Sequence, residues 1–202
     1  MKRNNYSAGS VSALLWFMEF KKTVKLLNDG KTFDEIKEMS VNDNLYGAVT
    51  PARSRNIYSK TVSRIKSLDS SFIPMFCESD LSTQKLITLT AVMAEETLFL
   101  DYMYEIFREK MIIGSNEISR TDMRVFFKEK ANQSDIVAKW TDDTFKRLEG
   151  TYLGYLFESG LIDDKKRAEK RKIIKPILDY NFKNWLDLYG YEIIAKILEG
   201  ER

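Results

Sequence analysis

Between Thr50 and Leu68 the chain carries Arg53, Arg55, Lys60, Arg64 and Lys66 and no acidic residue, although its formal net charge is only +2. Fixed cations gathered in this way suit one chemistry above others, the binding of phosphate by charge and N–H donation. At 100° per residue Arg53, Lys60 and Arg64 fall within a helical stripe about 40° wide. Tyr58, Val62 and Ile65 form a second stripe well round from the first. One face can enter a core while the other offers cations to solvent or phosphate. An ordinary exposed face mixes signs, because Glu–Lys pairs at i,i+4 add stability. This helix forgoes that benefit, which favours binding over mere solvation.

A second basic feature lies near the C-terminus. Lys165, Lys166, Arg167, Lys170, Arg171, Lys172 and Lys175 are opposed only by Glu169, a balance of +6 over eleven residues. The whole stretch 116–202 totals +1, so the rest of it is acidic. A cationic loop on an acidic body suits a wing lying along a nucleic-acid backbone. The plain alternative is a solvated loop kept polar for solubility. Lys146 and Arg147, early in a candidate recognition helix, are a further pair. Asn and Gln are few in these segments, so contact with phosphate is expected to dominate over base readout.

The residues of catalysis are scarce. There is no histidine, which removes the commonest general base and metal ligand and every Ser-His or Cys-His nucleophile arrangement. Cys77 is the only cysteine, so neither a disulfide within the chain nor a cysteine-rich zinc site can form. Glu95, Glu96, Asp101 and Glu105 share one predicted helix, but a di-iron bundle also needs histidine ligands. A magnesium site built from carboxylates alone is chemically permitted, yet no Asp/Glu-plus-Lys cluster stands out. Phosphate-cradling glycine loops are missing too. The expectation is a protein that is not an enzyme and takes no cofactor or metal.

These residues must be positioned by helices. In 202 residues there are three prolines and nine glycines, too few to interrupt long helices often. Ala13–Leu27 has helical apolar spacing and ends at Asn28-Asp29-Gly30. Thr32 with Glu35 forms a capping-box pattern, and Pro51 suits the first turn of the basic helix. Thr32–Val41 and the basic helix together predict a helix-turn-helix-like element. The stretch from Ser70 to Ser115 has a balance of −4, and Leu86–Phe107 is apolar nearly all round, as in a helix at the centre of a bundle. Ser119–Asp122 opens a helix to about Ala131, Ser134–Ala138 is a helical turn, and Thr141 or Asp142 caps a helix reaching Ser159. The apolar pairs Leu161-Ile162 and Ile173-Ile174 flank the charged loop. Three helices followed by such a pair is the order of a winged helix.

The prediction is thus a mainly α, multi-helix protein in three parts. Residues 1–69 hold the helix-turn-helix-like element, 70–115 a helical scaffold and 116–202 a winged-helix-like part. Trp16, Trp140 and Trp185 read as core anchors, Cys77 as a small buried hydrophobe, and Gly150 with Gly154 as a close helix contact. Lys2 and Arg3 precede the apolar run Ala13–Met18, but six residues leading into Glu19 are too short for a signal peptide. No stretch approaches the length of a membrane span, so a cytoplasmic location is expected.

Several segments resemble a known family. Tyr6-Ser7-Ala8-Gly9, Thr50-Pro51 opening a basic helix, Ile118-Ser119-Arg120-Thr121-Asp122, Lys128-Glu129-Lys130 to Trp140, and Glu158-Ser159-Gly160-Leu161-Ile162 are similar to the BrxA family of BREX bacteriophage-defence systems. The likeness runs through nearly the whole chain. It implies an all-helical protein with helix-turn-helix or winged elements, similar in part to the NusB-type fold, that binds double-stranded DNA and has no enzymatic activity of its own. Other BREX proteins are implied as partners. Where a Ser-Thr pair is expected of other members, the basic helix reads Pro-Ala-Arg-Ser-Arg-Asn. Two other readings stay open: an adaptor that docks protein partners, and an RNA-binding protein. On the DNA reading, alanine at Arg53, Lys60 and Arg64 would weaken binding and leave the melting temperature nearly unchanged.

Overall fold

A computed structural model of the chain describes residues 3–164 and 169–202. It is mainly α-helical, with a two-stranded sheet among the described residues. Helix α1 (Phe17–Asn28) is followed by α2 (Phe33–Asn42), whose start is fixed by the expected capping box between Thr32 and Glu35. The hydrogen bond from the Thr32 N–H holds the Glu35 carboxyl down at about 2. Helix α3 (Pro51–Lys66) begins at Thr50, whose hydroxyl accepts from Arg53 N–H, with Pro51 in the first turn. Pro51 lacks the N–H that a first-turn residue would leave unpaired.

The predicted continuous helix over Leu86–Phe107 is broken. Helix α4 (Phe72–Glu78) turns into α5 (Leu81–Glu95), and at Glu96 the backbone becomes extended, with φ −112° and ψ 94°. Helix α6 (Thr97–Tyr102) restarts there and continues into a π-helical segment, Met103–Arg108, and α7 (Glu109–Ile112). The sequence signal was apolar periodicity, whereas the break falls at a pair of carboxylates. Glu95 ends α5 and Glu96 is the extended residue, and both are directed at cations of α3.

Strand β1 (Glu117–Ser119) leads into α8 (Arg120–Gln133), capped by the expected box of Ser119 and Asp122. The short α9 (Asp135–Ala138) and α10 (Asp142–Glu158, capped by Thr141) follow. The anticipated apolar strand pair reduces to one bridge between Ile162 and Ile173. The longer pairing joins β2 (Lys170–Lys172) antiparallel to β1, with Ile118 opposite Arg171. Helices α11 (Tyr180–Leu188) and α12 (Glu192–Glu199) complete the chain.

One core cluster includes Leu15, Leu68, Phe99, Tyr155 and Leu198, so it crosses both of the boundaries drawn from sequence. At its centre the rings of Phe99 and Tyr152 are 4.8 Å apart and those of Tyr102 and Phe126 5.5 Å apart. Trp16 and Trp185 are buried as anticipated, while Trp140 and Cys77 are only half-buried. The close helix contact expected of Gly150 and Gly154 is absent at Gly150. Gly154 is buried, but Gly150 is exposed and a Cβ there would meet nothing within 4 Å.

Burial pushes the hydroxyls of Tyr102, Tyr152 and Tyr155 well above their ordinary value. Burial, aided by the Asp101 carboxylate, lifts Tyr6 to about 12, and burial lifts Tyr46 to about 12. Below the ordinary value of 10 these groups are neutral in folded and unfolded chains alike. Above it the unfolded chain ionises while the folded one must hold its protons, so stability falls as pH rises from 10 to 12. An alkaline titration followed by circular dichroism and tyrosinate absorbance checks this. The buried tyrosines should ionise together with loss of helix, and a gradual titration with helix intact would contradict it.

Candidate nucleic-acid interface

The stripe that opened the sequence argument is turned inward. Arg64 is 1% exposed, and its guanidinium donates to the carbonyls of Leu14 (2.9 Å) and Leu15 (2.8 Å) and to the Tyr155 hydroxyl (2.8 Å). Glu95 and Glu96 stand 3.6 and 3.8 Å from it. Lys60 lies 3.3 and 3.2 Å from the same two carboxylates. Arg53 is half-buried, its guanidinium 5.2 Å from the Trp16 ring centre. Arg64 is therefore corrected from a phosphate contact to an internal cation, and Lys60 to its partly covered neighbour. The acids missing from α3 come from α5 instead. Arg55 and Lys66 remain exposed, Lys66 lying 4.6 Å over Phe33.

The remaining carboxylates of this region are also matched to cations. Asp101 accepts from Arg3 and from Tyr6 (2.7 Å), and Lys130 reaches Glu105 at 2.5 Å and Asp101 at 3.9 Å. Ser10 donates to Glu96, and Asn4 N–H to the Thr97 hydroxyl at 2.8 Å. The segment from Arg3 to Ser10 is thus tied to α6 and the break before it by polar contacts. Among the described residues, no group of three Asp, Glu or Cys side chains is arranged to hold a metal ion.

The C-terminal basic feature divides by strand geometry. Successive side chains of a strand point to opposite faces, and in β2 Lys170 and Lys172 are exposed while Arg171 is 1% exposed. Burial and the charge of Arg120 push the Arg171 guanidinium below its ordinary value. Arg171 is therefore corrected to an inward-facing residue. Lys165, Lys166 and Arg167 lie outside the described residues. Lys170 sits 3.3 Å from Glu117 across the strand pair.

Lys146 and Arg147 are exposed on the first turns of α10, as expected. Two cations not singled out from sequence join them. Arg124 and Lys128, one turn apart on the exposed side of α8, flank a groove of about 380 Å³ with Lys146, over a floor of Phe127, Ala131 and Phe145. Their i,i+4 spacing was a readable signal, hidden by the acidic Asp122 and Glu129 in the same helix. Arg120 ties this helix down by pairing with the buried Glu149 of α10, while its N–H bonds Glu169 O at 3.3 Å. The strand pair, α8 and the start of α10 are thereby held in one arrangement, with Arg124, Lys128, Lys146, Arg147, Lys170 and Lys172 exposed on it.

Fold and surface together define a mainly helical protein that presents cations from two helices and a strand. A family model described as BrxA matches residues 4–188. The BREX protein BrxA of Bacillus cereus (strain H3081.97) is 33% identical over 201 residues, which cover 100% of each chain. The chain belongs to the BrxA family. A crystal structure of an uncharacterized protein from Magnetospirillum magneticum is similar in fold, with a TM-score of 0.80 and 15% identity, covering 98% of this chain and 100% of that one. Among the described residues, no helix is long and apolar enough to cross a membrane.

Proposed function

We propose that this chain is a cytoplasmic, non-enzymatic accessory protein of a BREX phage-defence system that binds double-stranded DNA mainly through its phosphate backbone. The observation that carries this reading is the exposed cation set on α8, α10 and β2, of which Arg124, Lys128 and Lys146 line one groove. The helix–turn–helix order of α8, α9 and α10, with β1 and β2 beside it, supports a winged-helix mode of docking. Arg55 on α3 offers a further contact from the N-terminal element. Membership of the BrxA family and the name of the Bacillus relative supply the setting.

Fluorescence anisotropy on labelled duplex DNA, duplex RNA and single strands, from low to physiological salt, tests it. Some five or six phosphate contacts give a log–log salt slope of about −4 to −6 on duplex DNA. Preference for RNA would replace the ligand, and no binding at low salt would remove the reading.

A further inference from the structure

Away from the cation face, large apolar side chains stand exposed on two adjoining stretches. Leu81 opens α5, and Ile177 (93% exposed), Tyr180 (75%) and Leu188 (80%) lie between β2 and the end of α11. Single exposed apolar residues are ordinary, but a contiguous group marks an interaction surface. Two grooves that share Asp80 join Leu81, Ile177 and Leu188. One, of about 660 Å³, lies between Leu81 and Ile177, with Leu86 and Ile174 in its lining and Lys85 and Lys175 at its edge; the other, of about 380 Å³, lies between the α4–α5 corner and Leu188. Packed aromatic rings build one side of the smaller groove. Trp185 donates from Nε1 to Ser71 Oγ at 2.8 Å, and its ring stacks between Tyr191 (4.9 Å) and Tyr189 (5.6 Å). A preformed aromatic wall beside exposed leucine and isoleucine has the composition and low ordering cost of a binding hot spot.

Charge selects the occupant. The smaller groove is rimmed by Glu78, Asp80 and Asp179, and among the described residues no lysine or arginine lines it. Asp80 and Asp179 are the N-caps of α5 and α11, so their carboxylates are fixed in place. We propose that this surface docks a partner protein through a segment that sets an arginine or lysine among these three carboxylates and bulky apolar side chains between Leu81 and Ile177. The docking uses none of the cations assigned to DNA, so the two surfaces can be occupied independently.

The test is selection of phage-displayed peptides on the full chain, followed by anisotropy with the best peptide. Enriched peptides should carry Arg or Lys beside Leu, Ile or an aromatic residue. Ile177→Ser and Leu188→Ser, both at exposed positions, should each weaken that peptide about tenfold. Glu78→Gln with Asp80→Asn keeps a capping side chain at α5. That variant should bind the peptide no better than the wild type binds the peptide's own Arg→Ala version. All these variants should keep wild-type affinity for duplex DNA. Absence of enrichment, enriched peptides without a basic residue, or affinity indifferent to these substitutions would overturn the proposal. So would self-association of the wild type in sedimentation velocity that Ile177→Ser abolishes, because a second copy would then be the occupant.

Discussion

Replacing Arg64 with methionine should lower the melting temperature by roughly 6–20 °C, from a loss of about 3–5 kcal/mol. The side chain is 1% exposed and faces Glu95 and Glu96, themselves 14% and 10% exposed. Removing the cation leaves two carboxylates in a covered site with only Lys60 to balance them, and it orphans the carbonyls of Leu14 and Leu15. Methionine fills much of the volume, so the loss isolates charge and hydrogen bonding from packing. Glu96→Gln in the same background should restore part of the loss. Thermal melts of these variants, with Arg55→Met as the exposed control, decide the matter. A melting temperature within a degree or two of wild type would show that the network contributes nothing net to stability.

The largest expected effect on binding comes from the other face. Alanine at Arg124, Lys128, Lys146 and Arg147 together should weaken duplex binding by about two to three orders of magnitude at physiological salt, and flatten the salt slope by about 3.6. The loss should be equal on unrelated sequences, because phosphate contacts carry no sequence information. All four residues are exposed, so the melting temperature should move little. An unchanged slope would place the contact surface elsewhere, and a sequence-selective loss would assign these side chains to base edges.

The contrast between these two experiments shows where sequence reading reached its limit. Caps were legible at Thr32, Ser119 and Thr141 because each is decided by groups within four residues of it. The mainly helical class followed from the scarcity of glycine and proline. The fate of Arg64 was not legible, because its acidic partners lie 31 and 32 positions away and face it only through the break at Glu96. A helix without acids is not a helix without partners, because tertiary structure supplies them. For Arg171 the period of two within β2 already held the answer, since a residue between two exposed lysines points the other way. Arg124 and Lys128 were passed over because the net charge of α8 conceals which face each sign occupies.

The contacts that close around Arg64 set an order of events during synthesis. The Tyr155 hydroxyl that accepts from Arg64 also donates to Ala13 O at 2.9 Å, across 142 positions of sequence. Tyr191 similarly reaches Ser67 and Asp69, and Trp185 reaches Ser71. As the chain leaves the ribosome, Leu14, Leu15, Glu95 and Glu96 can gather around Arg64 early, but the site stays open on one side until Tyr155 has been made. Phe20 can meet Phe72 and Phe76 early, whereas Trp185 reaches Phe72 only near the end of synthesis. Early termination would therefore yield fragments that expose apolar surface, not smaller working domains.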